Sequence, residues 1–114
     1  MSTIQPAVSD MLVTVKSREL QRGLLAEMSN HPAEAQQHFL AAAHLELVLA
    51  HDYENIGEAE LSWRSRVSAA SCFWRAGWQS RAQEILDALA QIDPTRAGEL
   101  QAVAADLASN VTGA

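Results

Sequence analysis

Apolar residues along this chain recur at three- and four-residue steps, and short polar breaks divide them into five segments. That spacing is the period of an amphipathic helix. The first helix is predicted from about Ser9 to Ser29 and is punctuated by Asn30-His31-Pro32. Proline suits the first position of a helix, because its missing N–H has no intrahelical partner there. A second helix, rich in Ala and Leu, therefore runs from Pro32 to about Asp52. Tyr53-Glu54-Asn55 breaks the pattern, and Asn55 with Glu58 three residues on has the form of a capping box for a third helix. That helix is predicted to reach about Ala76, with Gly57 a weakness near its start. Gly77-Trp78-Gln79 is the next turn, and Ser80 with Gln83 offers a second capping box, for a fourth helix ending near Ile92. Asp93-Pro94 opens a fifth helix, predicted to Ser109. No alternating stretch is sustained, and Val13-Thr14-Val15 is the longest β-branched run. The expectation is an all-α fold of five antiparallel helices joined by short loops. The domain spans residues 9–109, with a flexible lead over 1–8 and a flexible tail over 110–114.

Composition narrows the classes. A chain of 114 residues holds one domain with a modest core, and 48% apolar residues argue against disorder. A formal net charge of −6 repels phosphate backbones, so nucleic acid is not an expected partner. The single cysteine, Cys72, rules out an intramolecular disulfide and a cysteine-rich zinc site. No apolar stretch approaches ~20 residues, the length a membrane helix needs. The N-terminal residues lack the basic start and long apolar run of a secretory signal, so a cytoplasmic location is expected.

Residues 69–94 carry the most specific pattern: Ala70, Phe73, Gly77, Ala82, Leu86 and Leu89, closed by Pro94. The order is small, aromatic, Gly, small, apolar, apolar, Pro, and it resembles one tetratricopeptide repeat. A helical hairpin cannot bury its apolar face alone, so a second copy is expected. Shifting back by 47 residues aligns Gly23 with Ala70, Asn30 with Gly77, Ala35 with Ala82, Phe39 with Leu86 and Ala42 with Leu89. Asn replaces Gly at the turn because it tolerates the left-handed conformation. The copy departs where Ala26 stands for Phe73 and Leu47 for Pro94, and its offset exceeds the usual ~34 residues. The resemblance implies two tetratricopeptide-like hairpins and a capping fifth helix. A generic array of helical hairpins, or the ~40–47-residue period of HEAT and armadillo repeats, describes the same physics under another label.

Helix three offers the clearest surface. Glu60, Arg64, Ser68, Ser71 and Arg75 fall within an arc of roughly 80° at about 100° per residue. Small and apolar residues fill much of the remainder. The resemblance implies that helix three is an inner helix and that the stripe faces a groove. Arg64 and Arg75 point the same way, and with Trp74 and Trp78 they could grip an acidic or carboxylate-bearing peptide. The alternative is a solvated face on which the arginines pair with Glu60 or with acids of helix one. Trp63 and Phe73 read as core. Relatives with a carboxylate clamp place Lys and Asn on inner helices, where Val67 and Ser71 stand here, so a receptor for chaperone tails is not expected. Glu27 and Met28 would be the groove residues of the first hairpin.

Four histidines, His31, His38, His44 and His51, are the only hint of chemistry. Two same-face pairs, His31 with His38 and His44 with His51, are each about 10.5 Å apart along the axis, too far to share a metal through bonds of ~2.0–2.1 Å. Glu34 and His38, at i,i+4, suit a helix-surface pair. Cys72 lies on an apolar side, as inert cysteines do. No nucleophile elbow, phosphate loop or dinucleotide fingerprint is present. No enzyme activity, cofactor or metal is expected. The reading is a non-catalytic interaction module, an adaptor or small chaperone, that binds a peptide or helix along helix three. One alternative is a homodimeric or regulatory domain that buries Leu24, Leu25, Leu40, Leu47 and Leu49. The other is a helical bundle that binds a metal through Glu34 and His38 with ligands from a further helix.

Overall fold

The computed structural model describes residues 6–112. It is all-helical: α1 (Pro6–Met28), α2 (Pro32–Asn55), α3 (Ala59–Arg75), α4 (Gln79–Ile92), a 3₁₀ turn (Pro94–Arg96) and α5 (Ala97–Thr112). Residues 1–5 of the expected lead and 113–114 of the expected tail lie outside the described residues. Among the described residues, 6–8 and 110–112 are already helical.

Three joints share one geometry. A residue with positive φ follows each of the first three helices: Asn30 (63°), Gly57 (82°) and Gly77 (88°). At each joint the next N–H bonds five residues back, from His31 to Ala26 (2.8 Å), Glu58 to Tyr53 (2.9 Å) and Trp78 to Phe73 (2.8 Å). The positive-φ N–H bonds three residues back, to Glu27, Glu54 and Trp74. This is the Schellman ending, which satisfies the helix's last carbonyls. The residue that closes it is also the N-cap of the following helix, so His31, Glu58 and Trp78 cap with no side-chain bond.

That overlap corrects two expectations. Asn55 and Ser80 do not cap α3 and α4, because the backbone motif has already fixed where those helices start. Gly57 does not weaken α3; it supplies the left-handed residue that separates α3 from α2. Asp93 does act as expected, accepting a hydrogen bond from the Thr95 N–H, although it opens the 3₁₀ turn before α5.

Five of the position pairs aligned by the 47-residue shift are buried in both hairpins, while the turn pair, Asn30 and Gly77, is exposed. Gly23, Ala26, Ala35, Phe39 and Ala42 are inside, as are Ala70, Phe73, Ala82, Leu86 and Leu89. The aromatic changes helix between copies. In the second hairpin it is Phe73 on the first helix; in the first it is Phe39 on the second. Gly23 makes the room, since a Cβ there would lie 3.0 Å from the Phe39 ring.

α2 and α3 form the most extensive helix pair. Buried Ala42, Ala43 and Ala50 on α2 and Ser62, Ser65, Ala69 and Cys72 on α3 are small enough for close approach. The Ser62 hydroxyl donates to the Ala50 carbonyl at 2.8 Å, which satisfies a buried donor across the seam. α1 packs on the other flank of α2, and among the described residues no Cα of α1 comes within 8 Å of α3. α4 packs on α3, and α5 approaches α3 and α4 lightly. Its fully buried leucines are Leu100 and Leu107. Val103 and Ala104 pack half-buried against the core beside Leu100.

Gly23→Val is expected to lower stability by about 2 kcal/mol through overpacking against Phe39. Gly98→Ala, where an added Cβ meets nothing within 4 Å, should raise stability by roughly 0.5 kcal/mol. Chemical denaturation of both variants checks the pair.

Candidate functional site

The stripe on α3 is the helix's most open arc. Glu60, Arg64 and Arg75 are exposed, while Val67, Ser68 and Ser71 are half-buried. Most of the remaining faces are packed, with Leu61 exposed near the start of the helix. Ser62, Ser65, Ala69, Cys72 and Ala76 fall on the side toward α2, and Trp63, Ala70 and Phe73 fall on the opposite flank. Trp63, at 8% exposure, and Phe73, at 1%, are core as expected.

Each stripe residue has a defined neighbour. Arg64 Nε lies 3.5 Å from Glu60, an exposed i,i+4 pair. The Arg75 guanidinium stands 5.1 Å from the centroid of the Phe39 ring. Ser71 donates to the Val67 carbonyl one turn back. Trp74 is half-buried against the main core, and its indole Nε1–H is buried without a hydrogen-bond partner. Glu27 and Met28 are exposed at the C-terminal end of α1.

Trp78 does not belong to this set. Its ring stacks on Phe73, with centroids 5.9 Å apart. Phe73 lies two residues beyond Ser71, about 200° around the helix. Trp78 thus marks the far face, with the Arg81 guanidinium 5.6 Å from the same ring and His44 edge-on to it at 5.3 Å. The chain reverses at Gly77, and that reversal carries Trp78 away from Arg75.

Beneath the stripe lies a group that sequence reasoning missed. Glu46 sits at the centre of the buried face of α2 and is only 3% exposed. Its Oε2 lies 3.4 Å from Lys16 Nζ of α1. The hydroxyls of Ser65 and Ser68 on α3 also hydrogen-bond to it. Burial pushes this carboxyl above its usual 4.5, and the Lys16 charge and the hydroxyls only partly offset the effect. Three helices that do not all touch one another are thus tied at one carboxylate. The signal was present: Glu46 shares its helical face with Phe39, Ala42, Ala43, Leu49 and Ala50, and the serines recur every three residues opposite it.

The other titratable groups are structural in their settings. Burial and the nearby Glu46 push the Cys72 thiol up to about 11, so it is protonated at neutral pH and a poor nucleophile. His38 Nδ1 pairs with Glu19 Oε1 of α1 at 2.7 Å, instead of forming the expected surface pair with Glu34. No group of three or more His, Cys, Asp or Glu able to hold a metal occurs among the described residues. No helix among them is long and apolar enough to cross a membrane.

A cavity of about 610 Å³ lies away from the centre of the stripe. Trp63, Arg66, Leu89, Ile92 and Arg96 line it, and only Glu60 is shared with the stripe. The stripe itself is an open surface suited to an extended chain or a helix. No family model matches the chain, and neither a curated protein nor a solved structure matches it.

The sign of the Glu46 effect is testable. The folded chain holds this proton more tightly than the unfolded chain. The stabilisation from protonating Glu46 is therefore complete below about pH 4.5 and is lost as pH rises through the higher folded value. Glu46→Gln should match or exceed the wild type at pH 7, by up to about 1 kcal/mol, and its advantage should vanish at acid pH. Lys16→Ala, which leaves the buried carboxylate without its cation, should cost about 3 kcal/mol at pH 7. Unfolding free energies measured from pH 3 to 8 check both.

Proposed function

We propose that this chain is a non-catalytic, tetratricopeptide-like interaction module that binds an acidic peptide or helix along the exposed stripe of α3. The observation that carries the reading is the contrast on α3 itself. Most of the other arcs of that helix are packed, with Leu61 exposed near its start, while Arg64, Ser68, Ser71 and Arg75 form a polar strip that carries two exposed cations. The arginines stand about 16.5 Å apart along the axis. That span suits several residues of an extended peptide or about three turns of a helix. The Arg64–Glu60 pair is a weak competitor, since exposed pairs of this kind are worth roughly 0.2–1 kcal/mol. Arg75 is held over Phe39 with its donors free to fork onto a carboxylate. Val67 and Trp74 border the strip and supply apolar area. Glu27 would bound the groove at the end of α1. A reducing compartment such as the cytoplasm suits the lone free thiol.

A second reading, self-association, is favoured by the apolar exposure of α1. Met11 (65%), Leu25 (60%) and Met28 (83%) are open on a helix that, among the described residues, packs only on α2. Of the other leucines expected in such a dimer, Leu24 is exposed, Leu40 and Leu47 are half-buried against the core and Leu49 is buried. Light scattering over a dilution series separates the readings.

Selection of random dodecapeptides on the full-length protein tests the first reading. The recovered peptides should be acidic. Arg64→Glu with Arg75→Glu should weaken them at least about 10-fold, a loss of about 1.4 kcal/mol, with helical content unchanged by circular dichroism. Equal binding by the double variant removes the stripe as the site.

A further inference from the structure

We infer that α5 is a releasable cap, latched to the start of α3 by Arg96, whose release leaves the helices before it folded. This goes beyond the partner reading and does not depend on what binds the stripe. Arg96 joins segments far apart in sequence. Its Nη1 and Nη2 lie 3.0 and 3.3 Å from the Glu60 carboxylate, and its Nε and Nη2 lie 2.8 and 2.9 Å from the Glu99 carboxylate. Its guanidinium also lies 4.2 Å from the centroid of the Trp63 ring. One side chain therefore fixes the root of α5 against α3 through the Glu60 carboxylate and the Trp63 indole face, while Glu99, on α5 itself, orients the guanidinium.

The latch is open to competition. Glu60 and Glu99 are each 55% exposed, so water and salt reach both partners. A solvent-open concavity of about 610 Å³, lined by Trp63, Leu89, Ile92 and Arg96, adjoins this root. Asp93 breaks the helical path with φ −139° and ψ 88°, and the short 3₁₀ turn separates α4 from α5. That segment is a natural hinge, since a few residues at an element's end absorb the change in direction.

The core does not need the cap. Ala42 and Ala43 of α2, Ala69, Ala70 and Phe73 of α3, and Ala82, Ile85, Leu86 and Leu89 of α4 form one buried cluster. α5 adds buried Leu100 to it, with half-buried Val103 and Ala104 packed alongside. Departure of α5 leaves α2 packed on α3 and α3 on α4. What its departure uncovers is the Trp63 flank of α3.

Hydrogen exchange on the full chain at pH 7 tests this directly. Amides over 100–107 should exchange at least about 10-fold faster than those over 65–73, as expected of a segment that opens below the global limit. Arg96→Ala should accelerate 100–107 by a further factor of about 5 and change 65–73 by less than about 2-fold. Exchange of α5 in step with α3 in the wild type overturns the inference. So does an Arg96→Ala variant that accelerates both segments alike or leaves α5 unchanged. Should Arg96→Ala fail to fold by circular dichroism, Glu60→Gln removes the carboxylate on α3 and leaves the Trp63 contact. It should accelerate 100–107 selectively, and equal exchange of wild type and variant there again overturns the latch.

Discussion

The close approach of α2 and α3 through small side chains is the contact on which the rest of the structure depends. Ala42, Ala43 and Ala50 of α2 and Ser62, Ser65 and Ala69 of α3 are all buried, so small side chains make up much of the seam. Close packing of this kind tolerates few changes of volume. It also determines what happens to Glu46. A carboxylate at the middle of such a seam cannot reach water, so it draws Lys16 from α1 and two serine hydroxyls from α3. α1 is thereby tied to the centre of the domain by a charge as well as by the Gly23–Phe39 contact. Because α2 takes one side of α3 and α4 the other, the stripe from Glu60 to Arg75 is the part of α3 left most open to solvent.

Much of this fold is legible in the residues, for reasons that differ by element. Asn30 and Gly77 declare their turns because few residues accept a left-handed backbone. The same rule applied at Gly57, yet there the nearby Asn55 and Glu58 offered a competing capping pattern. The competition was lost because a Schellman ending already placed its closing residue at the next helix's N-cap. The stripe on α3 could be read because helical period alone decides which residues share a face. Trp78 could not be placed that way, since it lies beyond the turn and its direction is set by stacking on Phe73. Glu46 was hidden by the habit of assigning acids to the surface. Its period with Phe39, Ala43 and Ala50 outweighs that habit.

The chemistry of the buried groups bears on what kind of protein this is. Glu46 is enclosed by its own cation and hydroxyls, and Cys72 is held protonated in an apolar setting. Both serve packing. Groups that remain available to another molecule include Arg64 and Arg75 on α3 and the apolar side chains of α1. In the reading proposed above, the open strip on α3 is the binding surface of a scaffold. Its selectivity would come from charge along α3, in a chain whose overall charge is −6. Two cations in an acidic surface are a local feature that a carboxylate-bearing partner can find, because screening confines each charge's influence to about 10 Å at moderate salt.

The most direct test of the central claim is site-specific photo-crosslinking in the native cell. A photoreactive residue at position 64, on the open strip, is compared with one at position 83, exposed on α4. The account predicts a discrete adduct from position 64 and none from position 83. An adduct from position 83 alone, or the same adducts from both, would contradict the assignment of the α3 strip as the functional surface.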